Sequence, residues 1–258
     1  MNSVKLSIIT FTRNTCDELW DLFDKFHEIN DSCLEWLIKD NSESKKAIKT
    51  LDEIKKKWSC NSILSINQGK EKSLFDAFNI AINNAKGNYI CNFNPDDQII
   101  TSGMIYLISE FKNINNDVIV ANFTTNKDNS KNFYYPRKSF NVYLDGFRSY
   151  LEGCATSLIF SKSIFRKIGG FDPVFNYVSD LDFMLRLIKT IKPSTPYYLG
   201  KSIGIYGTNG ISSRFSISQF IDIMRVYYLR LGILPAIFLT IKSIYARIKS
   251  SIKNFFQI

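Results

Sequence analysis

The chain has 258 residues, 45% hydrophobic and 14% aromatic, which is ample for one large core and excludes a disordered chain. Its 33 basic residues outnumber its 24 acidic ones, and the resulting +9 favours an anionic partner: nucleic acid, anionic lipid or a phosphorylated substrate. One histidine, His27, and five scattered cysteines with no CxxC pair argue against a zinc site and against Ser-His-Asp or Cys-His chemistry.

The cysteines read as reduced and mostly buried, in a reducing compartment, and His27 as a boundary residue on a helix. The N-terminus enters an apolar run at once and predicts no signal peptide. The apolar stretch Leu231 to Ile241, broken by Gly232 and Pro235, is shorter than the about 20 residues a membrane span takes. The expectation is a cytoplasmic protein, soluble or peripheral to the membrane.

Strand and helix alternate from the start. Leu6 to Thr12 is rich in β-formers, and Asp17 to Glu28 follows with Leu19, Leu22, Phe23 and Phe26 at helical spacing. Leu34 to Ile38 predicts a strand, Ser44 to Trp58 a charged helix, and Ser62 to Ile66 a third strand. Ser73 to Ala85 predicts a helix closed by Gly87, and Tyr89 to Phe93 a fourth strand. Repeated β-α-β units imply a mainly parallel sheet between helices, with ligands bound at the carboxyl ends of the strands. The segments to inspect are therefore Thr12-Arg13-Asn14, Asp40-Asn41-Ser42, Asn67-Gln68-Gly69 and Asn94-Pro95-Asp96-Asp97.

The second half is less regular. Strands are predicted over Asp117 to Phe123 and Thr156 to Phe160, with a polar loop or hairpin from Thr124 to Asn132. Asp182 to Thr190 and Phe215 to Leu231 predict helices, while Tyr197 to Leu199 and Ile203 to Tyr206 look extended. Nothing marks a linker before about residue 210, so the division expected is 1–214 as the catalytic unit and 215–258 as C-terminal helices. After Asp222 the only charged residues are Arg225, Arg230, Lys242, Arg247, Lys249 and Lys253. From Ile241 to Ile258 the apolar and basic residues separate onto two faces, the pattern of a helix lying on a membrane surface. A helix docked on its own domain, or on a second copy in a homo-oligomer, gives a similar stripe.

Two adjacent carboxylates, Asp96 and Asp97, project after an apolar strand at a turn fixed by Pro95. Like charges so close call for a cation or for donors, and oxygen-only ligation suits Mg²⁺ or Mn²⁺ beside substrate phosphates. An ordinary Asp-rich turn has the same local sequence. Asp40 stands at another strand end, where an Asp-Asn-Ser turn is the plainer reading. Asp180 and Asp182 stand at a helix N-terminus, where a cap is the plainer reading, and Gly169-Gly170-Phe171-Asp172 forms a loop that lets backbone pass close to something.

The order of these signals is more specific than any one of them. Ser7 to Asn14, Glu35 to Ser42, Phe75 to Asn79, Ala85 to Ile90, Asn94 to Asp97, Ile168 to Asp172, Ser179 to Asp182 with Arg186, and Asn209 to Ser213 together resemble family 2 glycosyltransferases of the GT-A fold. The resemblance implies an α/β/α sandwich with a mixed, mainly parallel sheet and C-terminal helices. It implies that Thr10, Thr12 and Asp40, with Arg13 beside them, contact the nucleotide of a UDP-sugar, and that Asp76 and Asn79 line the same cleft. Asp96 and Asp97 would hold Mn²⁺ or Mg²⁺, with Asp97 the direct ligand. Asp180 would take the proton of a saccharide or lipid-linked acceptor hydroxyl as it attacks in line, inverting the anomeric centre, in the synthesis of a cell-surface polysaccharide or glycolipid.

Three departures bear on substrate identity. Ser179 stands where many members carry Glu, the stretch Gly153-Cys-Ala-Thr156 just before the strand at Ser157 to Phe160 lacks the His often found there, and Gly69 to Lys72 is unusually basic. A sugar-phosphate nucleotidyltransferase is the rival enzyme, but it needs a glycine- and arginine-rich loop where this chain has Phe11-Thr-Arg-Asn14. An inactive relative acting as a partner subunit is another reading. Nucleic acid is an unsuitable partner, because the basic residues are not interleaved with aromatics in a binding motif.

Overall fold

The computed structural model describes residues 4–127, 130–134, 155–190, 196–207, 216–241 and 245. Five central elements follow the predicted alternation closely: β1 (Leu6–Thr12), α1 (Asp17–Ile29), β2 (Leu34–Asp40), α2 (Lys45–Lys57) and β3 (Ile63–Gln68). α3 (Leu74–Asn84) and β4 (Tyr89–Asn92) complete the third unit. Then come β5 (Gln98–Ile99), α4 (Thr101–Glu110), β6 (Val118–Lys127) and β7 (Ser130–Tyr134). The remainder is β8 (Leu158–Ser161), α5 (Lys162–Ile168), α6 (Ser179–Thr190), β9 (Tyr197–Tyr206), α7 (Ile217–Leu231) and a further helix, α8, over 233–241.

Among the described residues nine strands form one sheet in the order β3-β2-β1-β4-β8-β6-β9-β5, with β7 paired to β6. β1, β2, β3 and β4 are mutually parallel, as their βαβ connections require. β8 is antiparallel to both β4 and β6, so the sheet is mixed. β1 and β2 are buried along almost their whole length, which explains why their sequences are continuous apolar runs.

Helices cover both faces. On one, Leu19, Leu22 and Phe26 of α1, Leu51 and Ile54 of α2 and Leu107 of α4 pack on Ile8, Trp36 and Ile38. On the other, Ala81 and Ile82 of α3, Phe165 of α5 and Phe183 and Leu187 of α6 pack on Ile9, Leu37 and Val120. A third cluster joins the outer side of α6, through Leu181 and Leu185, to Ile223 and Val226 of α7 and Leu239 of α8. This is the expected GT-A-type α/β/α sandwich with a C-terminal helical segment.

The structure corrects several local expectations. α3 ends at Asn84 with Ala85 as its cap, and Gly87 has no left-handed φ. Gly87 lies instead against β1, where a Cβ would sit 2.5 Å from the Ser7 nitrogen. Tyr197–Tyr206 is one strand, irregular where it pairs with β6 and with Gly200 at φ +69°. Of the four described cysteines only Cys91 is buried, and all four are free thiols. His27 is a boundary residue as expected, its Nδ1 2.9 Å from the Phe23 carbonyl. The predicted basic helix from Ile241 lies outside the described residues apart from Ile241 and Tyr245, as do Cys154 and Asn209 to Ser213. Among the described residues no helix is long and apolar enough to cross a membrane.

Strand direction fixes which end of the sheet holds the candidate residues. β1 to β4 are parallel, so Thr12, Asp40, Gln68 and the turn after β4 share one end. β6 runs antiparallel to β8 and therefore with β4, and β9 is parallel to β6, so β9 finishes at that same end. α6 leads back to the start of β9, which puts its N-terminus, with Asp180, at the Thr12 end. α3 connects β3 to β4 and likewise begins there, with Asp76 in its first turn.

Candidate active site

Thr12 and Asp40 are register partners on neighbouring strands. Asp40 is 1% exposed. Its Oδ1 accepts from the Ser42 hydroxyl at 2.5 Å and the Ser42 N–H at 3.2 Å, and its Oδ2 accepts from Gln68 Nε2 at 3.3 Å. The Ser42 contacts are a local Asx-type turn; the Gln68 contact is long and comes from an exposed side chain. Thr12 Oγ1 is buried with no hydrogen-bond partner, an orphaned group of the kind that needs an explanation. Arg13 next to it is exposed.

Thr10 plays a different part from the one expected. It is fully buried, and its hydroxyl accepts from Trp36 Nε1 at 2.9 Å, so no surface is left for a ligand. Its role is to satisfy the indole of a core tryptophan that stacks on Phe26.

The loops around this pair are braced from the protein side. Asn14, at φ +58°, donates its N–H to Ser42 Oγ at 2.7 Å, and its Oδ1 accepts from the Glu43 and Ser44 N–H groups. Lys39, almost fully buried, donates to the Gly69 carbonyl and pairs with Glu71, both at 2.9 Å. The basic loop is thus tied down by a cation on β2.

Asp96 and Asp97 are unlike one another. Asp97 is 2% exposed, and its oxygens accept from the Asn94 N–H at 2.7 Å and the Gly207 N–H at 2.9 Å. Burial pushes its carboxyl up to about 7, against the two backbone donors, which lower it, and with a smaller upward push from Asp96. Asp96 is exposed. The end of β9 closes over it: a Cβ on Gly207 would sit 2.4 Å from the Asp96 carbonyl oxygen and 2.5 Å from its Oδ2. Gly207 is a site residue that the sequence analysis missed, and its only signal there was a glycine just after a strand.

The expected cleft residues on α3 are largely occupied. Ser73 caps the helix, accepting from the Asp76 N–H at 3.1 Å and donating to Asp76 Oδ2 at 2.9 Å. Asn79 donates to the Phe171 carbonyl at 2.7 Å and accepts from the Phe171 N–H at 2.8 Å. Gly170 makes this approach feasible, since a Cβ there would lie 2.3 Å from Asn79 Oδ1. The backbone of the Gly-Gly loop therefore passes close to Asn79.

At the start of α6, Asp180 and Asp182 divide into separate roles. Asp180 has an exposed surface, and its Oδ1 accepts from the Leu181 N–H at 2.8 Å. Surrounding protein still desolvates the carboxyl and raises its pKa, against that backbone bond and one from its own N–H. Ser179 is fully buried, with its hydroxyl unpartnered. The Asp182 side chain is wholly buried and accepts from Arg186 Nε at 2.8 Å and Arg230 Nε at 2.5 Å. Arg186 also donates to the carbonyls of Ile168, Gly169 and Gly170. Asp182 thus joins α6, α7 and the glycine loop.

Among the described residues no cluster of three or more His, Cys, Asp or Glu is placed to hold a metal. The donor set at the turn after β4 is two adjacent carboxylates, one exposed and one held rigid by backbone. That fits a hard cation which takes one or two protein carboxylates and completes its shell with water and phosphate.

Comparison with known proteins follows this geometry. The model of the family Glycosyl transferase family 2 matches residues 7–169. Among solved structures, S. aureus TarS residues 1–349 superpose with a TM-score of 0.64 at 12% identity, over 86% of this chain and 64% of that one. The same protein in complex with UDP gives 0.63 at 15% identity, over 88% and 65%. The mannosyltransferase PcManGT from Pyrobaculum calidifontis, in complex with GDP-Man and Mn²⁺, gives 0.61 at 10% identity, over 88% and 64%. The chain spans less than two thirds of the length of each of these structures. No curated protein matches it. The likenesses establish the fold, and because the family match covers more than half of the sequence, the chain belongs to glycosyltransferase family 2.

Proposed function

We propose that this chain transfers a sugar from a UDP-sugar to an acceptor hydroxyl, with inversion at the anomeric carbon, during synthesis of a cell-surface polysaccharide or glycolipid. The observation that carries the reading is convergence. Asp40, the Asp96-Asp97 pair and Asp180 come from three separate elements, and strand direction puts all of them at the carboxyl end of one sheet. S. aureus TarS has been solved with UDP and with UDP-GlcNAc, which favours uridine over guanosine as the first donor to test.

In this scheme the orphaned Thr12 hydroxyl and the Asp40 carboxylate hold the nucleotide base. The long Gln68 contact is the one an incoming base N–H replaces at Asp40 Oδ2. Asp96 would hold Mn²⁺ or Mg²⁺ in place of Asp97, the direct ligand expected from the sequence, because Asp97 is buried and both its oxygens accept backbone N–H groups; the ion, when bound, would neutralise the diphosphate leaving group. Asp180 takes the proton of the acceptor hydroxyl, and its raised pKa makes it a stronger base than an ordinary aspartate. Asp76 and Asn79 act by holding the start of α3 and the 170–171 backbone in place around the cleft, and Arg13 offers an exposed cation near the phosphates.

Calorimetric titration with UDP tests the donor half. Binding should be clear with Mn²⁺ and much weaker with a chelator. Equal affinity in the two conditions removes the metal from the scheme, and no binding of UDP, GDP or dTDP removes the donor reading altogether.

A further inference from the structure

Lys39 is a cation inside the sheet, next in sequence to Asp40. It follows Leu37 on the face of β2 that α3 covers, and its register partner is Phe11, whose ring centroid lies 3.9 Å from that of Phe78 on α3. Its side chain is 4% exposed. Two partners of its ammonium lie in the turn from β3 to α3: the Gly69 carbonyl and the Glu71 carboxylate, both at 2.9 Å. The same turn is tied to Asp40 twice more. The Gly69 N–H donates to the Asp40 carbonyl at 3.1 Å, and Gln68 just before it reaches Asp40 Oδ2 at 3.3 Å. Lys70, between the two anchored residues, is 74% exposed and lies 3.3 Å from Glu43 in the turn after β2.

A buried ammonium is a poor device for stabilising a strand. An apolar side chain of similar volume, packed between Phe11 and α3, would serve the core as well or better, because desolvating an ion pair offsets much of its attraction. What the pair supplies is a fixed geometry. A carbonyl at 69 and a carboxylate at 71 are held at one point on β2, so the backbone between them has one place to go. That place is directly beside Asp40.

We propose that Lys39 is a positioning residue for the nucleotide: from within the sheet it holds the 69–71 turn against Asp40, so that this wall of the nucleotide site stands in place before the nucleotide arrives. The role rests on Asp40 holding the base, as in the scheme above. Lys39 itself is buried behind the turn and touches no ligand; it acts through Gly69 and Glu71. A turn ordered in advance spares the nucleotide the cost of ordering it, which is about tenfold in affinity for each backbone residue that binding would otherwise have to fix.

Lys39→Met combined with Glu71→Gln tests this. The pair removes one cation and one anion, so net charge is unchanged and no buried charge is stranded, and the exposed Gly69 can turn its carbonyl to water. The melting temperature should hold or rise. The Kd for UDP with Mn²⁺, measured by calorimetry, should rise about tenfold, and the KM for the donor should rise by more than kcat changes. Amide exchange over residues 69–72 without nucleotide, followed by mass spectrometry, should be faster than in the wild type. Glu71→Gln alone keeps an acceptor for Lys39 and should bind UDP like wild type. The proposal is overturned if the double variant binds UDP with wild-type affinity, or if exchange over 69–72 is unchanged. It is also overturned if affinity falls only in step with a falling melting temperature, since Lys39 would then serve the fold alone. If the wild-type chain binds no nucleotide, the donor reading fails and this role with it; wild-type binding beside an unaltered double variant overturns this role and leaves the donor reading standing.

Discussion

Asp182→Asn is the perturbation whose size follows most directly from the structure. The Asp182 carboxylate has no solvent exposure and holds two guanidinium groups, from Arg186 four residues on and from Arg230 on α7. These arginines are 17% and 30% exposed, so neither can move fully into water when its partner is neutralised. An amide of the same size keeps one acceptor oxygen and turns an NH₂ towards the second cation. Removing one partner of a buried pair costs about 3–5 kcal/mol. For a chain of this length each kcal/mol moves the melting temperature about 2–4 °C, so the loss should be about 6–20 °C. Differential scanning calorimetry of the purified variant measures it. Activity should fall too, in proportion to the folded fraction and to loosening of the 168–170 loop. A variant that melts like wild type while losing turnover would refute the reasoning, and would make Asp182 the chemical residue in place of Asp180.

Asp180→Asn should show the converse: turnover lower by about 10² or more with melting temperature and donor affinity little changed. Desolvation by the surrounding protein raises the Asp180 pKa and the base must be ionised, so turnover should decline as pH falls, with a midpoint above the ordinary aspartate range; the variant should lack that limb. Gly207→Ala drives a Cβ into the Asp96 carbonyl and carboxylate, so it should raise the metal concentration needed for half-maximal rate and leave α-helical content intact by circular dichroism. Asp97→Ala leaves the Asn94 and Gly207 N–H groups without their acceptor and should lower stability by about 1–3 kcal/mol in denaturant titration.

The first half of the fold was legible because its signals are local. α1 and α2 carry apolar residues at helical spacing, and β1 and β2 are apolar runs with polar residues at their carboxyl ends. The missed elements lack such signals. β5 has two residues, and α4 begins at Thr101 after Ile100, which offers no side-chain cap, and contains a glycine. That glycine, Gly103, lies where a Cβ would sit 1.9 Å from the Ser202 oxygen, so the helix is placed by contact with β9 and not by its own periodicity. α5 spans seven residues, too short for a pattern, although Ser161 caps it.

At the site, residue type and position at a strand end or helix N-terminus made Asp40, Asp96, Asp97 and Asp180 candidates, and the order of motifs that resembles family 2 glycosyltransferases singled them out. They could not separate an exposed aspartate from a buried one two positions away. Asp182 differs from Asp180 because Arg230, 48 residues later, reaches it, and Thr10 differs from Thr12 because the Trp36 indole does. Both distinctions are made by tertiary partners.

The account stands most directly on nucleotide release. The wild-type chain should be incubated with UDP-, GDP- and dTDP-sugars, Mn²⁺ and a panel of saccharide and lipid-linked acceptors, beside Asp180→Asn. The account predicts acceptor-stimulated release of UDP by the wild type and loss of that stimulation in the variant. Absence of acceptor-stimulated release from every donor, or release by Asp180→Asn at the wild-type rate, would contradict it.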